Sequence, residues 1–171
     1  MPSEPLIDIS AIDPDRIVHG PEEIRALNPH RFELEQIHGI VHFQDDPLQA
    51  VAVRHIREDE FWTRGHFPGN PLFPGVLMVE AAAQASSFCF HRKFGKLDGM
   101  IFGFGGLEGV RFRGSVRPGD RLLLAVKAHA LRMRRAVFDM QGYVDGRLVG
   151  EGRIIGVTIP AANPDHETAG S

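Results

Sequence analysis

The sequence predicts an α+β fold in which a curved antiparallel sheet wraps around one long, mostly apolar helix. Three observations predict it. An alanine-rich apolar run spans about 74–91 and opens on a proline, as helices often do. The strand-like runs that follow it are joined by tight turns, so they should be antiparallel. Gly150, Gly152 and Gly156 share one strand face by period two. A face that small admits a bulky neighbour, and the helix is the candidate.

The elements follow in order. Residues 1–20 are rich in proline and aspartate and read as loose, so 1–23 is expected to be a leader. One domain is expected over 24–159, with a flexible tail over 160–171. GPEEIRAL starts a short helix: Pro21 suits its first position, and Glu22 and Glu23 suit the positive end of the dipole. Asn28-Pro29 stops it. QIHGIVHF (36–43) and LQAVAVRHI (48–56) are β-prone runs separated by the turn chemistry of QDDP. A Gly/Pro-rich loop over 65–75 leads into the long helix. Beyond it, MIFGFGGLEGVRF (100–112) is strand-like, and RPGD (117–120) is a strong turn signal. RLLLAVKAHALRM (121–133), AVFDMQGYV (136–144) and RLVGEGRIIGVTI (147–159) complete the set, the last two joined by Asp145-Gly146. There is no internal repeat.

Composition narrows the function classes. With 43% hydrophobic and 24% charged residues over 171 positions, the chain suits one globular domain with a real core. A net charge of −3 gives no global basicity directed at nucleic acid or an anionic membrane. The one cysteine, Cys89, excludes an intrachain disulfide and fits a reducing compartment. MPSEPLIDIS has neither a basic flank nor an apolar core of the signal-peptide kind. Run 75–90 is short for a membrane span of about 20 residues, and Glu80 and Gln84 interrupt it. A cytoplasmic protein is expected.

The central question is the carboxylate in the long helix. Glu80, Gln84, Ser87 and His91 fall on one stripe. On spacing alone the stripe faces water. Against that, Ala81, Ala83 and Phe88 flank it, Phe73, Val76 and Leu77 would occupy its upstream end, and it carries one formal charge. A helix apolar on nearly all sides is buried, and a buried carboxylate must be hydrogen-bonded or neutral. Gln84, one turn on, can supply a bond. Burial would raise the carboxyl's pKa and make Glu80 a proton donor near neutral pH. His66, in a rigid loop, is a structural residue or a base. The helix starts at Pro74-Gly75-Val76, where free N–H groups meet the positive dipole end and Gly75 permits close approach. Base, acid and oxyanion donor are the parts needed to eliminate water beside a carbonyl.

GHFPGNPLFPGVLMVEAAAQ (65–84) closely resembles the signature of the 3-hydroxyacyl-[acyl carrier protein] dehydratases of bacterial fatty-acid synthesis. The resemblance runs from IRALNPHRF (24–32) through RFRGSVRPGDRL (111–122) to VDGRLVGEG (144–152), roughly four-fifths of the chain. It implies the hot-dog fold and the conversion of 3-hydroxyacyl to trans-2-enoyl thioesters. His66 matches the catalytic histidine, Glu80 the catalytic acid, Gly75 the carbonyl-binding N–H and Gln84 the acid-orienting glutamine. Glu at 80, where the dehydratase-isomerase branch has Asp, resembles the non-isomerising branch. The family's two catalytic residues come from different subunits, which implies a homodimer and, commonly, a trimer of dimers. The substrate rides on the phosphopantetheine of an acyl carrier protein, so no metal or redox cofactor is implied. The chain departs from the family in three places. Phe102 and Phe104 stand in the strand where the family often has a tunnel-gating tyrosine, and the sole tyrosine is Tyr143. ELEQIHG follows PHRF where an apolar run ending in an acid is usual. The leader is atypical.

An acidic carrier needs a basic surface. Arg111 and Arg113 share a strand face by spacing, and Arg132, Arg134 and Arg135 cluster near a turn; each alone suits solubility, and together they are the candidate patch. Among the twelve phenylalanines, Phe67, Phe73, Phe88, Phe102 and Phe104 are the candidates for an acyl tunnel, the rest being core. GFGGLEG (103–109) is not a dinucleotide loop, because Glu108 occupies the third glycine position and no βαβ unit surrounds it. His38 and His42 are too far apart along a strand for one metal. Ser86 and Ser87 lack a nucleophile elbow, and Cys89 suits a buried small hydrophobe. Two other readings of the same fold remain. In a hot-dog thioesterase Glu80 would activate water; the third possibility is a non-catalytic acyl-binding protein.

Overall fold

A computed structural model describes residues 4–161. The elements are α1 (Pro21–Leu27), β1 (Gly39–Asp45), β2 (Leu48–His55), α2 (Gly75–Phe94), β3 (Met100–Phe112), β4 (Arg121–Arg132), β5 (Arg135–Val144) and β6 (Arg147–Pro160). Short 3-10 turns at Ile9–Ala11 and Phe32–Leu34 precede the first strands. All strands join one antiparallel sheet in the order β1-β2-β4-β5-β6-β3.

The helix α2 lies on one face of this sheet, and its small residues set the approach. Ala81, Ala82 and Ala85 are fully buried, which lets the helix backbone lie close to the strands. Farther along, Phe88 packs on Phe43 and Phe90 on Phe102, in the same buried cluster as Phe138 and Met140. α2 runs past the expected His91 to Phe94. Its C-terminus carries His91, Arg92 and Lys93, which suit the negative dipole end. Gly95 closes it at φ 81°, its N–H returning to the His91 carbonyl.

The RPGD turn does not make a hairpin of the strands on either side of it. β4 pairs with β2, while β3 crosses to the far edge and pairs with β6. The β1–β2 turn is also tighter than expected. Gln44 and Asp45 stay in register with Gln49 and Leu48, leaving only Asp46-Pro47 to turn.

The three glycines of β6 do not all receive the helix. Gly150 does, together with Gly142 of β5: a Cβ at either would meet the Met78 sulfur of α2, at 2.5 and 3.1 Å. Gly152 faces Val110, and Gly156 lies under the Phe102 ring. Both neighbours belong to β3, whose side chains cover the strand beside it. Phe102 in turn stacks on Phe90, with ring centroids 4.1 Å apart.

Residues 4–12 of the expected leader are packed rather than loose, and this corrects the sequence reading. Alternation in β2 sends Ala50 and Ala52 to the helix side, while Val51 and Val53 go to the opposite face. Ile7 packs on that opposite face with Val41, Ala125 and Tyr143, and Leu6, Ile9 and Ile12 extend the cluster. Leu6 N–H donates to Gln141 Oε1 at 2.7 Å, and Gln141 Nε2 donates to the Glu4 carbonyl at 3.0 Å. The prolines and aspartates of this segment conceal four apolar residues that close the second face. Of the expected tail, 162–171 lies outside the described residues.

Candidate active site

Loop geometry fixes the state of His66. Its N–H donates to the Trp62 carbonyl at 2.8 Å, and its own carbonyl accepts from Leu72 N–H at 2.7 Å. Its ring Nδ1 lies 2.8 Å from the Leu72 carbonyl. A carbonyl only accepts, so Nδ1 carries the proton and, in the neutral ring, Nε2 keeps its lone pair. The tautomer is therefore that of a base. Phe67 stacks on the ring with centroids 4.2 Å apart.

The chain then enters α2. Phe73 N–H donates to the Val116 carbonyl at 2.8 Å, which holds the helix entrance to the sheet. Leu77 and Met78 N–H both return to the Pro74 carbonyl. The N–H groups of Gly75 and Val76 have no hydrogen-bond partner among the described residues. They form the open positive end of a 20-residue helix. The Phe112 ring lies over Gly75 so closely that a Cβ there would come within 2.6 Å of it.

Glu80 stands on the second turn, half-buried, and is held by two donors. Gln84 Nε2 reaches Oε1 at 2.7 Å, and His30 Nε2 reaches the same oxygen at 3.2 Å. Gln84 is itself fixed. Its Nε2 also donates to the Leu34 carbonyl at 2.6 Å, and its Oε1 accepts from Gln36 N–H at 2.9 Å. Its backbone carbonyl accepts from Asn28 Nδ2 at 2.9 Å. These bonds stitch segment 28–36 along the polar stripe of α2, so the stripe meets protein rather than water.

The charge of Glu80 corrects the sequence reading. Burial pushes its carboxyl up as expected, but the hydrogen bonds from His30 and Gln84 outweigh it, and the carboxyl sits below its ordinary value. Sequence reasoning missed His30. The available signal was its position directly after Asn28-Pro29, the pair that ends α1 and turns the chain back across α2. No hydrogen bond joins His66 to Glu80 within the chain.

A FabA-like domain model matches residues 28–153, a span that contains both His66 and Glu80. The chain belongs to the FabA-like family. This FabA-like chain is 37% identical over 131 residues to the 3-hydroxyacyl-[acyl-carrier-protein] dehydratase FabZ of Escherichia coli strain K12 / DH10B. The match covers 76% of this chain and 86% of that one. FabZ of Shigella boydii serotype 18 matches to the same extent. Among solved structures, the dehydratase heterocomplex ApeI:P from Xenorhabdus doucetiae superposes with a TM-score of 0.67 at 16% identity, covering 80% of this chain and 90% of that one. A mutant thioesterase from Pseudomonas aeruginosa gives 0.61 at 18% identity, covering 85% and 98%. These two likenesses establish the hot-dog fold.

The remaining expected site residues scatter. Of the phenylalanines, Phe73 is core, edge-on to Trp62 and beneath the Arg54 guanidinium. Phe88 packs with Phe43 of β1, and Phe102 with Phe90 beside β6. β1 and β3 are opposite edges of the sheet. Phe67 and Phe104 are exposed. The arginines also separate. Arg111 lies opposite Glu151 of β6 and Arg135 opposite Val157. Six residues of strand, about 20 Å, divide them. Arg111 and Arg113 belong to the end of the sheet where Phe112 covers the start of α2, and Arg132, Arg134 and Arg135 to the other end. Arg113 also spends its charge on Glu151, with its Nε 2.8 Å from the carboxylate. Tyr143 donates to Gln141 at 2.6 Å beneath the leader, on the face of the sheet away from α2. Cys89 is fully buried, and burial pushes its thiol up. Among the described residues no group of three or more His, Cys, Asp or Glu is placed to hold a metal ion. No helix among them is long and apolar enough to cross a membrane.

Proposed function

We propose that this FabA-like chain removes water from 3-hydroxyacyl groups carried as thioesters on acyl carrier protein, giving trans-2-enoyl thioesters for fatty-acid synthesis or a related lipid or polyketide pathway. One observation carries the reading. Helix α2 offers, within its first six residues, two unpartnered N–H groups and a carboxylate pinned by its own glutamine. That is the donor-and-acid half of an elimination beside a carbonyl.

His66 Nε2 takes the proton from the carbon next to the thioester carbonyl. The electron pair forms the carbon–carbon double bond as the bond from C3 to its oxygen breaks. Gly75 and Val76 N–H hold the negative charge that gathers on the carbonyl oxygen meanwhile. Glu80 gives its proton to the leaving hydroxyl, which departs as water. After product leaves, His66 releases its proton to solvent and Glu80 takes one up, so the cycle needs no metal or redox group. In the single chain Glu80 rests charged. Acyl chain and second subunit exclude the water that still reaches it, and this raises the carboxyl toward its acid form.

The second subunit belongs to the reading. β3 is an edge strand that exposes Phe104, Leu107 and Phe112. An apolar edge of this length invites pairing. Two copies joined along β3 would cover these residues, and the partner subunit's His66 would face Glu80. Phe67, exposed beside the His66 ring and away from that seam, is the ring left free to border the acyl group. Arg111, at the α2 entrance and without an ion pair to a carboxylate among the described residues, suits the acidic carrier better than the arginines at the far end.

Mass spectrometry of a 3-hydroxyacyl-carrier thioester with wild type and with Glu80→Gln tests this. Loss of water with wild type, reduced by about 100-fold or more in the variant, is the expected result. Release of free acid would make the protein a thioesterase. An unchanged thioester would make it an acyl-binding protein.

A further inference from the structure

Both polar contacts on the Glu80 carboxylate fall on one atom. His30 Nε2 and Gln84 Nε2 each bind Oε1, and Oε2 has no partner among the described residues. A carboxylate oxygen only accepts, so His30 Nε2 must carry a hydrogen. His30 Nδ1 is buried and has no partner. A buried lone pair without a donor costs less than a buried N–H without an acceptor. The geometry therefore favours a neutral ring with its hydrogen on Nε2, aimed at Glu80.

We infer that His30 is a positioning residue for the proposed dehydration: with Gln84 it anchors Oε1, presents Oε2 to the substrate hydroxyl, and governs how readily Glu80 takes up a proton. The two anchors approach from different parts of the chain. Gln84 lies one turn on in the same helix, and His30 lies in the segment between α1 and β1. One donor alone leaves the carboxylate free to rotate about its last bond; two donors from different directions fix which oxygen faces outward. Any proton Glu80 binds goes to Oε2, the oxygen without a donor, and so sits where a leaving hydroxyl can take it.

The surroundings of Glu80 hold few competing charges. Leu34, Gln36 and Asn28, packed against this stretch of α2, are neutral. His30 is the ionisable group that reaches the Glu80 carboxylate within the chain. In the proposed dimer the partner subunit's His66 joins it.

The test compares His30→Leu, which removes the donor, with His30→Gln, whose amide nitrogen can reach the Nε2 position. His30→Asn, polar but too short, replaces the leucine variant should that one fail to fold. The inference rests on the dehydration reading, so one readout is independent of activity: the NMR titration of the Glu80 carboxyl carbon in the unliganded protein. Losing the donor should move its midpoint upward, and His30→Gln should bring it most of the way back. In turnover, kcat of the donor-less variant should fall by up to about 100-fold with KM within about twofold, again restored by glutamine. The falling alkaline limb of kcat, where Glu80 must keep its proton, should move to higher pH. An unmoved midpoint, or a glutamine variant as impaired as the leucine one, overturns the role of His30. A midpoint that moves in a protein that dehydrates nothing supports the grip on Glu80 and overturns the dehydration reading.

Discussion

The two ends of α2 are built on opposite principles. At the start, Val76 is 72% exposed, two N–H groups are open and Glu80 is held by a polar network. At the far end Phe88, Cys89 and Phe90 are fully buried, and Gly95 closes the helix. The proposed chemistry lies where the helix is least covered, and stability where it is most covered. One rigid rod separates the two, so each end can be disturbed with limited effect on the other.

The sharpest way to break that separation is at the open end. Gly75→Val places carbon where the Phe112 ring now lies and shields the free N–H groups. Phe112 is half exposed and can swing aside, so the fold should survive. kcat should fall by about 100- to 1,000-fold, the cost of an oxyanion donor. Thermal melting within a few degrees of wild type is the control, and a collapse of folding would show that both ends carry stability.

Phe90→Ala is the converse experiment. It removes a fully buried ring from the stack with Phe102. Denaturant unfolding should show a loss of about 3–5 kcal/mol. The kcat of the protein that remains folded should change little, and a large fall would mean that packing at the closed end positions the open one.

The smallest effect concerns pH. His91 is 4% exposed, and burial pulls its pKa down, partly offset by its bond to the Gly95 carbonyl. The unfolded chain takes up a proton at the ordinary histidine value that the folded chain refuses. Stability should therefore fall as pH drops below about 6.5, with His91 contributing at most about 1.4 kcal/mol per pH unit beside His38, which burial pulls down to about 4. Glu80, with its carboxyl lowered, loses its stabilising contribution only below about 4.5. In unfolding curves between pH 7 and 5, His91→Gln should flatten the slope and Glu80→Gln should leave it. The reverse result would put the pH sensitivity at the open end.

How far the sequence could be read follows the range of the interactions. The long helix, the Asp145-Gly146 turn and the entrance at Pro74-Gly75 were legible because proline, glycine and periodicity act within a few residues. So was the bond from Gln84 to Glu80, one helical turn apart. The path of β3 to the far edge was not legible, since the RPGD turn says that the chain reverses and not which strand it then meets. The leader was misread because its apolar residues are spaced among prolines and aspartates, and their partners lie on the outer face of β2, β4 and β5. The charge of Glu80 was misread for the same reason. Its second donor arrives from a segment far upstream, and local pattern carries no trace of that contact.

Met78 shows a consequence in oxidative chemistry. Its sulfur fills the space that Gly142 and Gly150 leave open, and the residue is 2% exposed. A thioether is soft and narrow enough to lie against two bare strands. The same closeness leaves no room for a sulfoxide oxygen and no donor to receive one. The native fold thus shields this methionine from oxidants, and a chain oxidised while unfolded would carry a polar oxygen into the seam between helix and sheet. The damage to expect at this position is a failure to refold, not a gradual loss of activity.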